Sequence, residues 1–367
     1  MVSAVPFNDL RRASLADHDE LLELFSQVLR SGWFLNGGFA RRLKGALSAE
    51  IANRPVTLVG NGTDALRLAL TTLGVGPGRR VATVGNAGGY SSGAALSLGA
   101  IPVIVDVDES TAQMDPGSLA LVVESAQPPD VIVVTHLYGQ MAPILNIMEL
   151  ASSANIPVIE DVAQAFGASI PEGPAGSFGS LATTSFYPTK NLASIGDAGA
   201  VFSATEELAS RCARSAQYGW GERYVVESVG GFNSRMDEIH AATVLHRLER
   251  LTIDTARRRS IASAYRAVLN PSRTVIGTND ESFAAHLAVM TTDSREEDSA
   301  RLRASGIETS IHYPLPDHRQ PAWRGLVQTP VSLDATEKLT RRILSLPCFS
   351  TMSDAEVAHV TETLAVL

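Results

Sequence analysis

The chain has 367 residues, 45% of them hydrophobic and 19% charged. This composition excludes large-scale disorder and gives enough chain for a large domain plus a smaller one. Its formal net charge is −9, so an acidic surface repels nucleic acid, and any anionic substrate depends on a local cationic site.

No stretch approaches the roughly 20 apolar residues that span a bilayer. The N-terminus, MVSAVPFNDLRR, lacks the long apolar core of a signal peptide, and a cytoplasmic protein is expected. Cys212 and Cys348 lie far apart, without metal-ligand spacing. No metal site is expected, and the pair reads as two buried free thiols.

Residues 15–30, LADHDELLELFSQVLR, read as an amphipathic helix, followed by the glycine-bearing SGWFLNGGF. From Pro55 to Val201, short apolar runs alternate with helical stretches. The runs are VTLVG, RVATVG, IPVIVDVD, VIVVTHL, IPVIED, ATTSFY and AGAVFSA. Continuous β-branched runs bounded by turn residues are the pattern of buried, mostly parallel strands, and their alternation with helices predicts an α/β domain. Residues 236–269, MDEIHAATVLHRLERLTIDTARRRSIASAYRAVL, read as one long helical tract leading out of that domain. The remainder mixes short strands and helices, DSREEDSARLRAS and DAEVAHVTETLAVL among the latter. The expected division is a large α/β domain over 1–245, including the N-terminal segment, and a smaller α+β domain over 246–367.

Three stretches carry candidate chemistry. In VGNGTDALRLALTTLG, residues 59–74, a strand runs through a Gly-Asn-Gly turn into a helix, with Thr63 as the expected N-cap and Gly74 as the stop. Leu66, Ala69, Leu70 and Leu73 share one face. Free N–H groups at such a helix start favour phosphate, although a plain strand-to-helix turn has the same pattern. In IPVIEDVAQAFGA, residues 156–168, a strand ends in Glu160-Asp161, with Gln164 three residues on. A strand-end carboxylate sits where α/β folds place ligands. Asp161 suits a ribose, metal or pyridinium partner, or a helix cap.

The third stretch is FYPTKNLASIGDAGAV, residues 186–201, with its single lysine among small residues. Gly196 and Gly199 let backbone pass close to something bulky. Burial lowers the pKa of a lysine and makes a neutral, nucleophilic amine available, whereas a lone lysine in isolation reads as a surface charge. Taken in order on one α/β domain, an anion cradle, a strand-end aspartate and a loop lysine are the parts that hold pyridoxal 5′-phosphate (PLP).

The chain resembles the DegT/StrS-type nucleotide-sugar aminotransferases, a group of fold type I PLP enzymes. NGTDALRLAL, VIEDVAQAFGA, SFYPTKNLASIGDAGAV, GFNSRMDEIHAA and IHYPLPDHRQPA are all close to family motifs, and the likeness runs over nearly the whole length. The resemblance implies a large domain with a mostly parallel central sheet and a smaller C-terminal α+β domain. It implies that Lys190 forms the Schiff base, Asp161 pairs with the pyridine nitrogen and Gln164 lies near the 3-hydroxyl. Gly62, Thr63 and Ser185 take the phosphate, and Asn233 reaches it from a neighbouring subunit, which implies a homodimer with shared active sites. His312, Tyr313 and Tyr187 are implied at the sugar end.

The aromatic residue that stacks on the cofactor ring in this family falls on Gly88 here, within VGNAGGYSSGAAL. Tyr90, two residues on, is the expected substitute, with an altered loop conformation. Arg223 and Arg235 are candidate cations for a sugar nucleotide's phosphates, or else partners in structural ion pairs. The implied reaction moves an amino group from L-glutamate to a nucleotide-linked keto sugar. A cyclitol ketone as substrate, or a regulatory PLP- or sugar-binding homologue without turnover, are the alternatives. In the related dehydratases a histidine replaces the lysine, and Lys190 argues against that branch.

Overall fold

The computed structural model describes residues 4–367; the first three residues of the N-terminal stretch read above lie outside the described residues. The apolar runs form one seven-stranded sheet. Its strands in chain order are β1 (Val56–Val59), β2 (Arg80–Val84), β3 (Ile101–Val105), β4 (Val131–Thr135), β5 (Val158–Asp161), β6 (Leu181–Ser185) and β7 (Gly199–Ser203). The spatial order is β1-β7-β6-β5-β4-β2-β3. From β6 to β3 every pairing is parallel, and β7 runs antiparallel to both of its neighbours. The strands are almost wholly buried, as parallel strands covered by helices on both faces require.

Local chemistry sets the helix ends. The expected helix 15–30 is broken at Asp17 into Leu10–Ala16 and His18–Ser31, which stops at left-handed Gly32. The helix after β1 spans Gly62–Thr72. Its N-cap is Asn61, whose side chain accepts from Asp64 N, and not Thr63 as the sequence suggested. Ala65, Leu66, Leu68, Ala69 and Leu70 are all buried, so this helix is apolar beyond the single face first read, because it lies between the sheet and neighbouring helices.

The tract 236–269 is two helices, Glu238–Leu248 and Leu251–Val268. The first packs on Gly38–Glu50 beside the large sheet, and the second on Asp354–Leu364. The change of partner at residues 249–250 is where we propose the large unit ends. A three-stranded antiparallel sheet (Thr274–Val275, Ala288–Thr291, Ile343–Leu346) anchors the C-terminal unit. Val5 packs in that unit's core and bridges to Ile307, and Arg12 pairs with Glu356. The start of the chain therefore crosses the division expected from sequence. Cys212 and Cys348 are both buried free thiols. Among the described residues no helix is long and apolar enough to cross a membrane.

Two buried carboxylates hold irregular backbone in place. Glu160 accepts from the N–H groups of Gly176, Phe178 and Gly179, and His136 Nε2 donates to it at 3.1 Å. Glu238, 2% exposed, caps the helix Gly38–Glu50 from outside it, accepting from Gly37, Phe39 and Ala40 N at 2.8–2.9 Å. Glu238→Ala leaves three donors, two of them buried, without an acceptor and is expected to cost roughly 2–5 kcal/mol of unfolding free energy. Denaturant unfolding measures this, and a change below about 0.5 kcal/mol contradicts it.

Candidate active site

The carboxyl ends of the parallel strands open on a cavity of about 730 Å³, a volume that suits a small cofactor with part of a substrate. Its anion-binding end depends on one rung of the sheet. Val59 of β1 and Ser185 of β6 both pair with Gly199 of β7, so the turn leaving β1 lies beside the end of β6. A Cβ on Gly199 would stand 2.6 Å from Asn61 O and 2.9 Å from Thr184 O, and one on Gly62 would stand 2.6 Å from Ser185 Cβ. Both positions demand glycine for space. The N–H groups of Gly62 and Thr63 have no acceptor among the described residues. Ser185 Oγ accepts from Tyr187 N at 3.2 Å, which leaves its own proton for a ligand. Helix N-terminal donors plus a hydroxyl make an anion site. The one acid in that turn, Asp64, accepts from Ser234 Oγ at 2.6 Å, and Ser234 Oγ accepts from Gly60 N at 2.9 Å.

The acid and the amine face each other farther along the sheet edge. Alternation along β5 sends Glu160 to the loop described above and Asp161 into the cavity. Asp161 Oδ1 accepts from Ala163 N at 3.0 Å. Burial raises the Asp161 pKa, while the Ala163 N–H and the charge of Lys190 pull it down. Lys190 follows a tight turn in which its N–H donates to Tyr187 O at 2.8 Å. Burial lowers the Lys190 pKa to about 8, against the pull of Asp161. Gly196 makes room for His240, which meets Ser194 Oγ at 2.8 Å and fixes the far side of the lysine loop.

Gln164 is held by Tyr138, whose N–H donates to its Oε1 at 2.7 Å; its Nε2 donates to Tyr313 Oη at 3.1 Å. Tyr138 Oη donates to the carbonyl of His312. Burial lowers the His312 pKa to about 4, and the charge of Lys190 adds to this.

The cavity gathers Gly62, Thr63, Tyr90, Asp161, Gln164, Ser185, Tyr187, Lys190, His312 and Tyr313. It does not gather three of the expected residues from the same chain. Arg223 and Arg235 line a second cavity of about 770 Å³ with Arg214, Trp220 and Tyr224, and Asn233 is exposed beside it.

His286 was missed. Asn191 Nδ2 donates to Ala284 O, so Asn191 Oδ1 faces His286 Nδ1 at 3.2 Å. The proton then sits on Nδ1, and Nε2 is an acceptor. Burial, with the charge of Lys190 next, keeps this imidazole neutral. A lone histidine just before a short strand carries no sequence signal of such a role. Thr135 Oγ1, on the same rung as Asp161, is buried without a partner among the described residues and also lines the cavity.

The sheet order and this separation of anion end, acid and amine define the class: a fold type I transferase built for pyridoxal 5′-phosphate. The sequence profile of the DegT/DnrJ/EryC1/StrS aminotransferase family matches residues 16–365, and the chain belongs to that family. It is 34% identical to the UDP-2-acetamido-2-deoxy-3-oxo-D-glucuronate aminotransferase of Pseudomonas aeruginosa, over 98% of this chain and 99% of that one. It is equally 34% identical to a pleiotropic regulatory protein of Geobacillus stearothermophilus, over 98% of each chain. The crystal structure of S. venezuelae DesV in complex with a ketimine intermediate superposes with a TM-score of 0.94 at 33% identity, covering 100% of this chain and 98% of that one.

Two outcomes test the site. Gly62→Ala is expected to push Ser185 aside and weaken binding of PLP to the cofactor-free protein about tenfold or more, as read by absorbance titration; unchanged affinity contradicts the space argument. The second concerns pH. Because Lys190 holds its proton less tightly folded (about 8) than in its ordinary state (10.5), the unfolded chain binds more protons between those values. Stability of the cofactor-free protein therefore rises with pH across that window relative to Lys190→Met, and the penalty is complete below about pH 8. Thermal unfolding of the two proteins over pH 7–11 checks the sign.

Proposed function

We propose that this aminotransferase moves an amino group from L-glutamate to a keto sugar carried on a nucleoside diphosphate, with Lys190 bearing PLP. The observation that carries this reading is the amine of Lys190, its pKa brought down to about 8, opposite a buried aspartate and beside an anion cradle in one cavity. The cradle fits a phosphate, since the N–H groups of Gly62 and Thr63 have no acceptor among the described residues and a Cβ on Gly62 would push Ser185 out of place. When bound, PLP supplies an electrophilic carbon and a cationic ring that takes up an electron pair.

The chain's residues divide the remaining work. The N–H groups of Gly62 and Thr63 with Ser185 hold the phosphate, and Asp161 keeps the ring nitrogen protonated. Gln164, fixed by Tyr138, faces the 3-hydroxyl. Lys190, with a pKa near the working pH, would take a proton from the substrate carbon and deliver it to the cofactor carbon on the other side of the linking nitrogen. His312 and Tyr187 lie toward the sugar.

The diphosphate needs cations, and among the described residues that line the cavity holding Asp161 and Lys190 there is no arginine. We place them on a second subunit. The segment carrying Arg223, Asn233 and Arg235 exposes Tyr224, Val226 and Val229, an apolar surface that a homodimer would cover, and its cations would then face the neighbour's cavity. The similarity to a UDP-sugar aminotransferase supports a nucleotide-linked substrate.

Lys190→Ala, supplied with PLP, is expected to lose the visible absorbance of lysine-bound cofactor and all multiple turnover. Retained turnover would falsify the role. Asp161→Ala is expected to keep the covalent linkage and slow the proton transfer by at least about a hundredfold. A panel of keto-sugar nucleotides, offered to the aminated form of the enzyme, identifies the substrate class. If free cyclitol ketones restore the lysine-linked absorbance and no sugar nucleotide does, the acceptor assigned here is wrong. If nothing restores it, the regulatory alternative replaces the catalytic one.

A further inference from the structure

The loop after β2 runs Gly85-Asn86-Ala87-Gly88-Gly89 into the helix Tyr90–Ser97. Gly88 and Gly89 both take left-handed backbone, with φ of +77° and +82°. Their missing side chains are replaced by rings from the C-terminal unit. A Cβ on Gly88 would lie 2.8–2.9 Å from Cζ, Cε1 and Cε2 of Tyr313, and one on Gly89 would lie 2.7 Å from Cη2 of Trp323. The segment bearing both rings is clamped to the loop, since Asp317 N donates to Gly85 O and Ser92 Oγ donates to Asp317 Oδ2.

Tyr313 is thereby fixed from three sides. Its ring fills the Gly88 site, its hydroxyl accepts from Gln164 Nε2, and the Tyr90 ring meets it edge-on at 6.1 Å and 79°. Tyr90 itself is 50% exposed and opens its helix. An aromatic cofactor buried in a cavity gains most from a ring that is already immobile, because no rotamer entropy remains to be lost. Of the two tyrosines, only Tyr313 meets that condition.

The geometry points to Tyr313 as the aromatic face against which the cofactor ring lies, with Tyr90 a positioning residue that braces Tyr313 edge-on. This rests on PLP occupying the cavity as proposed above. It assigns the pair Gly88-Gly89 a definite purpose: to admit rings from the C-terminal unit. It also gives Gln164 a second task, since one side chain ties the tyrosine hydroxyl to the backbone of Tyr138.

The test is PLP binding to the cofactor-free protein, read by absorbance titration and by the induced circular dichroism of the bound cofactor, without reference to turnover. Tyr313→Leu is expected to weaken binding about tenfold and to alter the dichroism. Tyr313→Phe keeps the ring and is expected to stay within about threefold, and Tyr90→Leu likewise. Gly88→Ala, which acts on the same ring from the other side without removing it, is expected to resemble Tyr313→Leu. Thermal unfolding of each cofactor-free variant identifies any that misfold, and Gly88→Ala then decides in place of Tyr313→Leu.

Loss of binding in Tyr90→Leu with retention in Tyr313→Leu overturns the assignment and returns the role to Tyr90. Equal, near-normal binding in Tyr313→Leu and Gly88→Ala also overturns it. A wild-type protein that binds no PLP at all would instead refute the proposed function.

Discussion

The site depends on a contact that can exist only without side chains. The turn after β1, the start of β7 and the end of β6 meet where Asn61 O, Gly199 and Thr184 O come within the space of one methyl group. Because Val59, Gly199 and Ser185 share a rung, this closeness brings a helix N-terminus alongside a strand-end hydroxyl. Neither Gly62 nor Gly199 takes a positive φ, so no turn geometry calls for them. The requirement is steric: any Cβ would part the two strand ends and open the cradle.

The electrostatics follow from burial of opposite charges in one cavity. Desolvation disfavours the ionised form of both Asp161 and Lys190, and each charge offsets part of the cost to the other. A lysine left alone there would be driven further down, and a carboxylate left alone further up. Together they leave Lys190 at about 8 and Asp161 above its ordinary value. His286 and His312 add no competing charge, since burial beside Lys190 keeps both imidazoles neutral.

Much of this was legible in the sequence. β-branched runs such as VIVVT become fully buried strands because sheet position leaves them no alternative, and the order of cradle, acid and lysine survives folding intact. The illegible parts are those decided between distant segments. Helical pattern ran on through Glu249 and Arg250 because neither residue is a breaker; only the change of packing partner ends one helix and begins the next. Asn61 outcompetes Thr63 as the cap because the helix begins two residues earlier, against Ser185. The identity of the ring over Gly88 could not be read within its own loop, since the ring arrives from more than 200 positions away in the chain.

Glu160 and Asp161 are neighbours with unrelated duties, one fastening the 176–179 loop and the other facing the cavity. Only the pleat tells them apart. Losing or gaining a single residue within Val158–Asp161 would swap the two carboxylates, emptying the loop's anchor and misplacing the cavity's acid in one step. The four residues of that strand thus form an indivisible frame, intolerant of length change even where every replacement side chain is chemically suitable.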